Sequence, residues 1–115
     1  MTNIDRIKLE VEGVTLTDDT LAIYLQENNL TPNDEYAPTS NINKKNIYRT
    51  ALSILESIAN NPSYMRNVKN DDMTISEFSK NLNDRIDSLD RKIRLMSTDD
   101  NDNGTGASFV YLFTE

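Results

Sequence analysis

Apolar residues recur at steps of three and four along most of this chain, a spacing that predicts helices. The longest stripe is Ile75, Phe78, Leu82, Ile86, Leu89, Ile93 and Met96. Just before it, Thr74-Ile75-Ser76-Glu77 has capping-box spacing, with Thr74 as N-cap and Glu77 at N3. The pattern predicts a helix from about Ile75 to Met96, roughly 33 Å long at about 1.5 Å per residue. Acid-before-base pairs at i,i+4, Asp87 with Arg91 and Asp90 with Arg94, would add surface support. One face of a helical bundle explains the stripe. A seam shared between subunits is the alternative reading.

A second stripe predicts a helix from about Asn41 to Ala59. Ile47, Ala51, Ile54, Leu55 and Ile58 share one face, and Tyr48, Leu52 and Ala59 widen it to an arc of roughly 160°. An arc that wide suits a central helix packed on several neighbours. Asn60-Asn61-Pro62 stops it.

Upstream, Thr17 reads as an N-cap, with Asp18 and Asp19 in the first turn, where the helix dipole favours negative charge. Leu21, Tyr24, Leu25 and Asn28 follow, and Asn29 and Pro32 end that helix. Thr31 to Thr39 reads as a loop. Thr2 to Glu12 is expected to hold a short helix with Ile4, Ile7 and Val11 on one side, ended by Gly13. Ser63 to Met73 reads as a connector with room for one helical turn presenting Tyr64, Met65 and Val68.

After Met96 the character changes. Ser97 to Gly106 is polar, acidic and glycine-bearing, which suits a mobile linker. Phe109-Val110-Tyr111-Leu112-Phe113 is apolar and β-prone, with Phe109, Tyr111 and Phe113 on one face. Exposed alone, such a segment is an aggregation hazard with unpaired backbone groups. Docking these five residues on the sheet edge or groove of another chain would cover them. Folding back on the chain's own helices is the alternative.

The expectation is therefore an all-α fold, a small helical bundle with a long C-terminal helix, followed by an extended tail with a short β-strand. Three parts follow: an N-terminal arm at 1–16, a bundle domain at 17–96, and a linker with a partner-docking strand at 97–115.

Composition narrows the chemistry. The 115 residues suit one domain. There are no cysteines and no histidines, so disulfides, thiolate metal sites and Ser-His-Asp or Cys-His catalysis within one chain are excluded. Carboxylate pairs such as Asp18-Asp19 and Asp71-Asp72 sit among turn and cap residues, with few apolar neighbours to raise a pKa. Neither enzymatic activity nor a cofactor is expected.

Asp99, Asn101, Asn103 and Gly104 match positions 1, 3, 5 and 6 of a calcium loop, but position 12 is Val110 where a glutamate is required. An acidic linker is the better reading, and no metal is expected.

The net charge of −7 argues against a general nucleic-acid binder. Asp99, Asp100, Asp102 and Glu115, with no Lys or Arg after Met96, place −4 of that −7 in the tail. The basic clusters Lys44-Lys45 and Arg91-Lys92-Ile93-Arg94 read as solvated helix faces, with phosphate contact as the lesser alternative. No apolar run approaches the roughly 20 residues of a membrane span. The start has no signal-peptide core, so a cytoplasmic protein without membrane contact is expected. Scattered asparagines read as the compositional habit of an AT-rich genome.

The order of elements carries a resemblance. A helix precedes an Asn/Pro loop with Asp34-Glu35-Tyr36. Next comes a central helix from Tyr48-Arg49-Thr50-Ala51-Leu52 to Ile58-Ala59-Asn60-Asn61-Pro62, and then the long helix from Thr74 to Met96. Over about Thr17 to Met96 this pattern resembles the head-tail connector (adaptor) proteins of tailed bacteriophages. The resemblance implies a homo-oligomeric ring, commonly twelve-fold, in the virion neck. The ring would join the portal protein to stopper or tail proteins and let genomic DNA pass through its lumen. It also implies a C-terminal segment that docks on the portal, which would give Phe109 to Phe113 an acceptor. The acidity would suit a channel for DNA. A small helical regulatory or adaptor protein that binds a single partner is the alternative.

Overall fold

The computed structural model describes residues 1–69 and 72–96. Within them the chain is all-α. It forms α1 (Asn3–Glu10), α2 (Asp18–Glu27), α3 (Asn41–Ala59), α4 (Pro62–Val68) and α5 (Ile75–Leu95). The linker and the short β-strand expected in the tail lie outside the described residues. No helix among the described residues is long and apolar enough to cross a membrane.

The wide apolar arc of α3 does what its width predicts: this helix packs against each of the other four. Ile47, Ala51, Ile54, Leu55 and Ile58 are buried along it. Each large aliphatic side chain withdrawn from water in this way contributes on the order of 1.5–3 kcal/mol. Thr50 lies on the same face, fully buried, and its hydroxyl donates to the Asn46 carbonyl at 2.7 Å. That bond lets a polar side chain sit in the core without an orphaned hydroxyl.

The stripe on α5 faces the bundle. Phe78, Leu82 and Leu89 are buried, Ile86, Ile93 and Met96 are half-buried, and Ile75 is exposed. Tyr48, early in α3, meets Lys92, late in α5, so the two helices run antiparallel. The capping box forms: the Thr74 N–H donates to Glu77 Oε1 at 3.0 Å, and the Glu77 N–H donates to Thr74 Oγ1 at 3.1 Å. On the surface Asp90 pairs with Arg94 at 3.1 Å and Lys80 with Asp84 at 2.9 Å. The expected Asp87–Arg91 pair is not formed. Both side chains are exposed, where an ion pair gains little more than the entropy it costs to hold.

α2 starts at its Thr17 cap and ends in a Schellman turn. The Leu30 N–H donates to the Leu25 carbonyl at 2.9 Å and the Asn29 N–H to the Gln26 carbonyl at 3.1 Å. Asn29 takes the left-handed conformation this turn requires, with φ of 66°. Leu30 and Leu25, the hydrophobic pair of the motif, are both buried.

The Ser63–Met73 connector is more regular than its sequence suggests. Asn61 caps α4 by accepting from the Tyr64 N–H at 3.1 Å, and Pro62 fills the first helical position. The residues that stop α3 therefore also start α4. Met65 and Val68 are buried beneath it.

Residues 1–16, expected as an arm, supply α1, and Ile7 within it and Val11 at its C-cap sit in the shared core. The loop between α2 and α3 serves the start of α1. The Asn3 and Ile4 N–H groups donate to the carbonyls of Asp34 and Pro32 at 2.9 and 3.0 Å. These are donors that a helix start leaves without an internal partner. Thr2 and Glu35 form an isolated antiparallel bridge.

Candidate functional site

The residues with most to offer a partner gather at the two ends of the α3–α5 pair. At one end, cations and rings alternate. The Arg6 guanidinium lies 5.4 Å from the Tyr36 ring centre and 5.9 Å from that of Tyr48, and the Lys92 ammonium lies 4.7 Å from the same Tyr48 ring. Such contacts contribute about 0.5–1 kcal/mol each when exposed and more when dry. Arg6 also pairs with Glu10 at 2.9 Å. Burial works against its charge, but the bonds with Glu10 and Tyr36 hold it above the ordinary arginine value.

Beside this stack lies a cavity of about 300 Å³ lined by Asn41, Lys44, Tyr48, Lys92 and Met96. None of its lining residues is acidic, and the first turn of α3 carries no acidic residue either. Lys45, next in sequence to Lys44, is held below the ordinary lysine value by burial and by the nearby charge of Arg49. Of the two basic clusters in the sequence, the structure thus brings Lys44 and Lys92 to one cavity. Arg94 turns aside to Asp90.

At the other end of the pair, an apolar cavity of about 310 Å³ opens between the α1–α2 connection and α5, with Val14, Met73, Phe78 and Leu82 in its wall. Arg85 fixes this wall: it donates to the carbonyl of Glu10 and, at 3.2 Å, to that of Glu12. Those carbonyls belong to the end of α1, where acceptors lack helical partners. Gly13, with φ of 95°, lets the chain turn there. Leu9 and Ile23 expose large apolar side chains elsewhere, and Leu95 does so at the last residue of α5.

The described residues hold no group of three acidic side chains placed to share a metal ion. Every buried side-chain nitrogen or oxygen among them has a hydrogen-bond partner. The perturbed carboxylate is Glu77, held below the usual range by accepting from the backbone and side chain of Thr74. That is a helix cap and not a proton-transfer group.

The proposed docking residues Phe109, Val110, Tyr111, Leu112 and Phe113 lie outside the described residues, as does the calcium-like run from Asp99 to Gly104. Sequence reading did not reveal the Arg6–Tyr48–Lys92 stack or the Arg85 bridge. Both depend on pairing residues from distant helices, which no local spacing encodes.

No protein family, curated protein or solved structure matches this chain.

Proposed function

We propose that this protein is a structural connector of a phage neck, a ring-forming adaptor between the portal and the stopper or tail. One observation carries the reading. The helices on which the resemblance rests come in its order, with the short α4 between the last two: α2, a loop holding Asp34-Glu35-Tyr36, a central α3 and a long α5. The Phe109–Phe113 segment then serves as the docking strand, and the net charge of −7 keeps the ring from adhering to DNA passing through it. The test is a reconstruction of the neck of the purified virion. A ring of this chain beneath the portal is the expected result, and a neck built without it overturns the reading.

A second reading is a small helical adaptor that binds one protein partner. The apolar cavity walled by Val14, Met73, Phe78 and Leu82 favours it, because a cavity of that character can seat one side chain of a partner. Mass measurement with the portal protein present separates the two, since a ring and a one-to-one complex differ many-fold in mass.

A further inference from the structure

We infer that the basic cavity between the start of α3 and the end of α5 is the seat of the chain's own acidic segment, Ser97 to Asp102. This inference stands apart from the connector reading and holds whatever the partner of the tail.

Connectivity supports it first. Met96 is itself part of the cavity wall, so the segment begins inside its proposed site. Asp99 follows three residues later, within about 10 Å of Met96 even in fully extended chain. The local concentration of these carboxylates at the cavity is therefore set by a tether of only a few residues.

Charge supports it independently. Asp99, Asp100 and Asp102 bring three negative charges in four positions, with no base among the residues that follow Met96. The wall offers Lys44 and Lys92 and no acid. Two acids close to this end are already engaged: Asp90, two residues before Lys92, by Arg94, and Glu10 by the Arg6 that lies over the Tyr48 ring. Lys92 is already placed over the Tyr48 ring, which holds its ammonium at the cavity instead of leaving it to swing through solvent.

The volume fits as well. About 300 Å³ holds one or two side chains of aspartate size with water, and not a folded domain.

Seated in this way, the segment fixes the point at which the remaining tail leaves the bundle. The Phe109–Phe113 segment would then start from the α3–α5 end and search a limited volume.

Nitrogen-15 relaxation on the full chain tests the idea. At low salt, the amides of Asp99 to Asp102 are expected to show order parameters near the folded-backbone value of about 0.85. Salt at about 1 M, where the Debye length falls to about 3 Å, should release Asp99 to Asp102 to below about 0.6. The double variant Lys44→Gln, Lys92→Gln should do the same at low salt. The triple variant Asp99→Asn, Asp100→Asn, Asp102→Asn changes no residue of the bundle and gives the same readout should the lysine variant fail to fold. Mobile Asp99 to Asp102 amides at low salt overturn the inference. So do amides that stay ordered in the triple variant.

Discussion

The side-chain amide of Asn43 donates to Oδ1 of Asn3 at 3.2 Å, joining residues 40 positions apart. Asn3 is 3% exposed and completes its bonding by donating to the Thr31 carbonyl at 2.9 Å. Asn43 in turn accepts from the Ala37 N–H at 2.8 Å. One amide pair thus ties α1, the loop and α3 together, with every polar atom placed.

Removing half of that pair leaves the other half poorly satisfied. Asn3→Ala is expected to destabilise the fold by about 1–3 kcal/mol, the usual cost of orphaning a buried polar partner. Urea denaturation of Asn3→Ala, Asn43→Ala and the double variant should show coupling of at least about 0.5 kcal/mol. Additive losses would show that the two amides act separately.

Asn29 gives a sharper test of backbone conformation. With φ of 66°, Asn29→Ala should cost about 1 kcal/mol, because a Cβ disfavours the left-handed region. Asn29→Gly should be neutral or slightly stabilising. Thermal melts of the three proteins should rank them Gly at or above Asn, and Asn above Ala.

Arg85 holds the end of α1 through two backbone carbonyls. Arg85→Ala should cost about 1.5–3 kcal/mol, the range for hydrogen bonds to a charged group. Arg85→Lys should recover only part, since one ammonium cannot reproduce the fork that reaches both acceptors. Amide exchange at Val11 to Val14 should quicken in both variants.

The cap of α5 is sensitive to acid. Bonding to Thr74 lowers the folded-state pKa of Glu77. Its contribution is therefore complete above the unfolded value of about 4.3 and is lost as pH falls through the lower folded value. The stability gap between the natural protein and Glu77→Gln should be widest near neutral pH and close below about pH 4. A gap that grows on acidification would contradict the cap assignment.

The tail tests assembly apart from folding. Deleting Ala107 to Glu115 removes no residue of the five helices, so circular dichroism should be nearly unchanged. On the proposed connector reading, complex formation with a portal protein should be abolished. Assembly that persists would place the interface on the helices alone.

The sequence makes α3 and α5 legible because their burial is periodic: Ile47, Ile54 and Ile58, or Phe78, Leu82 and Leu89, each mark one face. The caps at Thr17 and Thr74 are legible because they are local. α4 was legible only in part, since Asn61 and Pro62 both stop one helix and start the next. The contacts of Asn3 and Arg85 leave no trace in local pattern. Their partners are backbone carbonyls and an amide fixed only once the helices have packed. The cavity between Lys44 and Lys92 is hidden for the same reason, as it needs the antiparallel register of α3 and α5. The docking role proposed for Phe109 to Phe113 rests on their apolar, β-prone alternation in the sequence.

The burial profile of α5 has a mechanical consequence. Its last deeply buried side chain is Leu89, while Ile93 and Met96 are only half-covered and Leu95 is 79% exposed. About 10 Å of helix therefore lies between the last firm anchor and the point where the tail departs. A pull on the tail would first load this thinly packed stretch and the Lys92–Tyr48 contact, and could peel them while Phe78, Leu82 and Leu89 stay seated. Force applied at the C-terminal end of α5 is therefore expected to free its last two turns before the buried side chains of the helix give way.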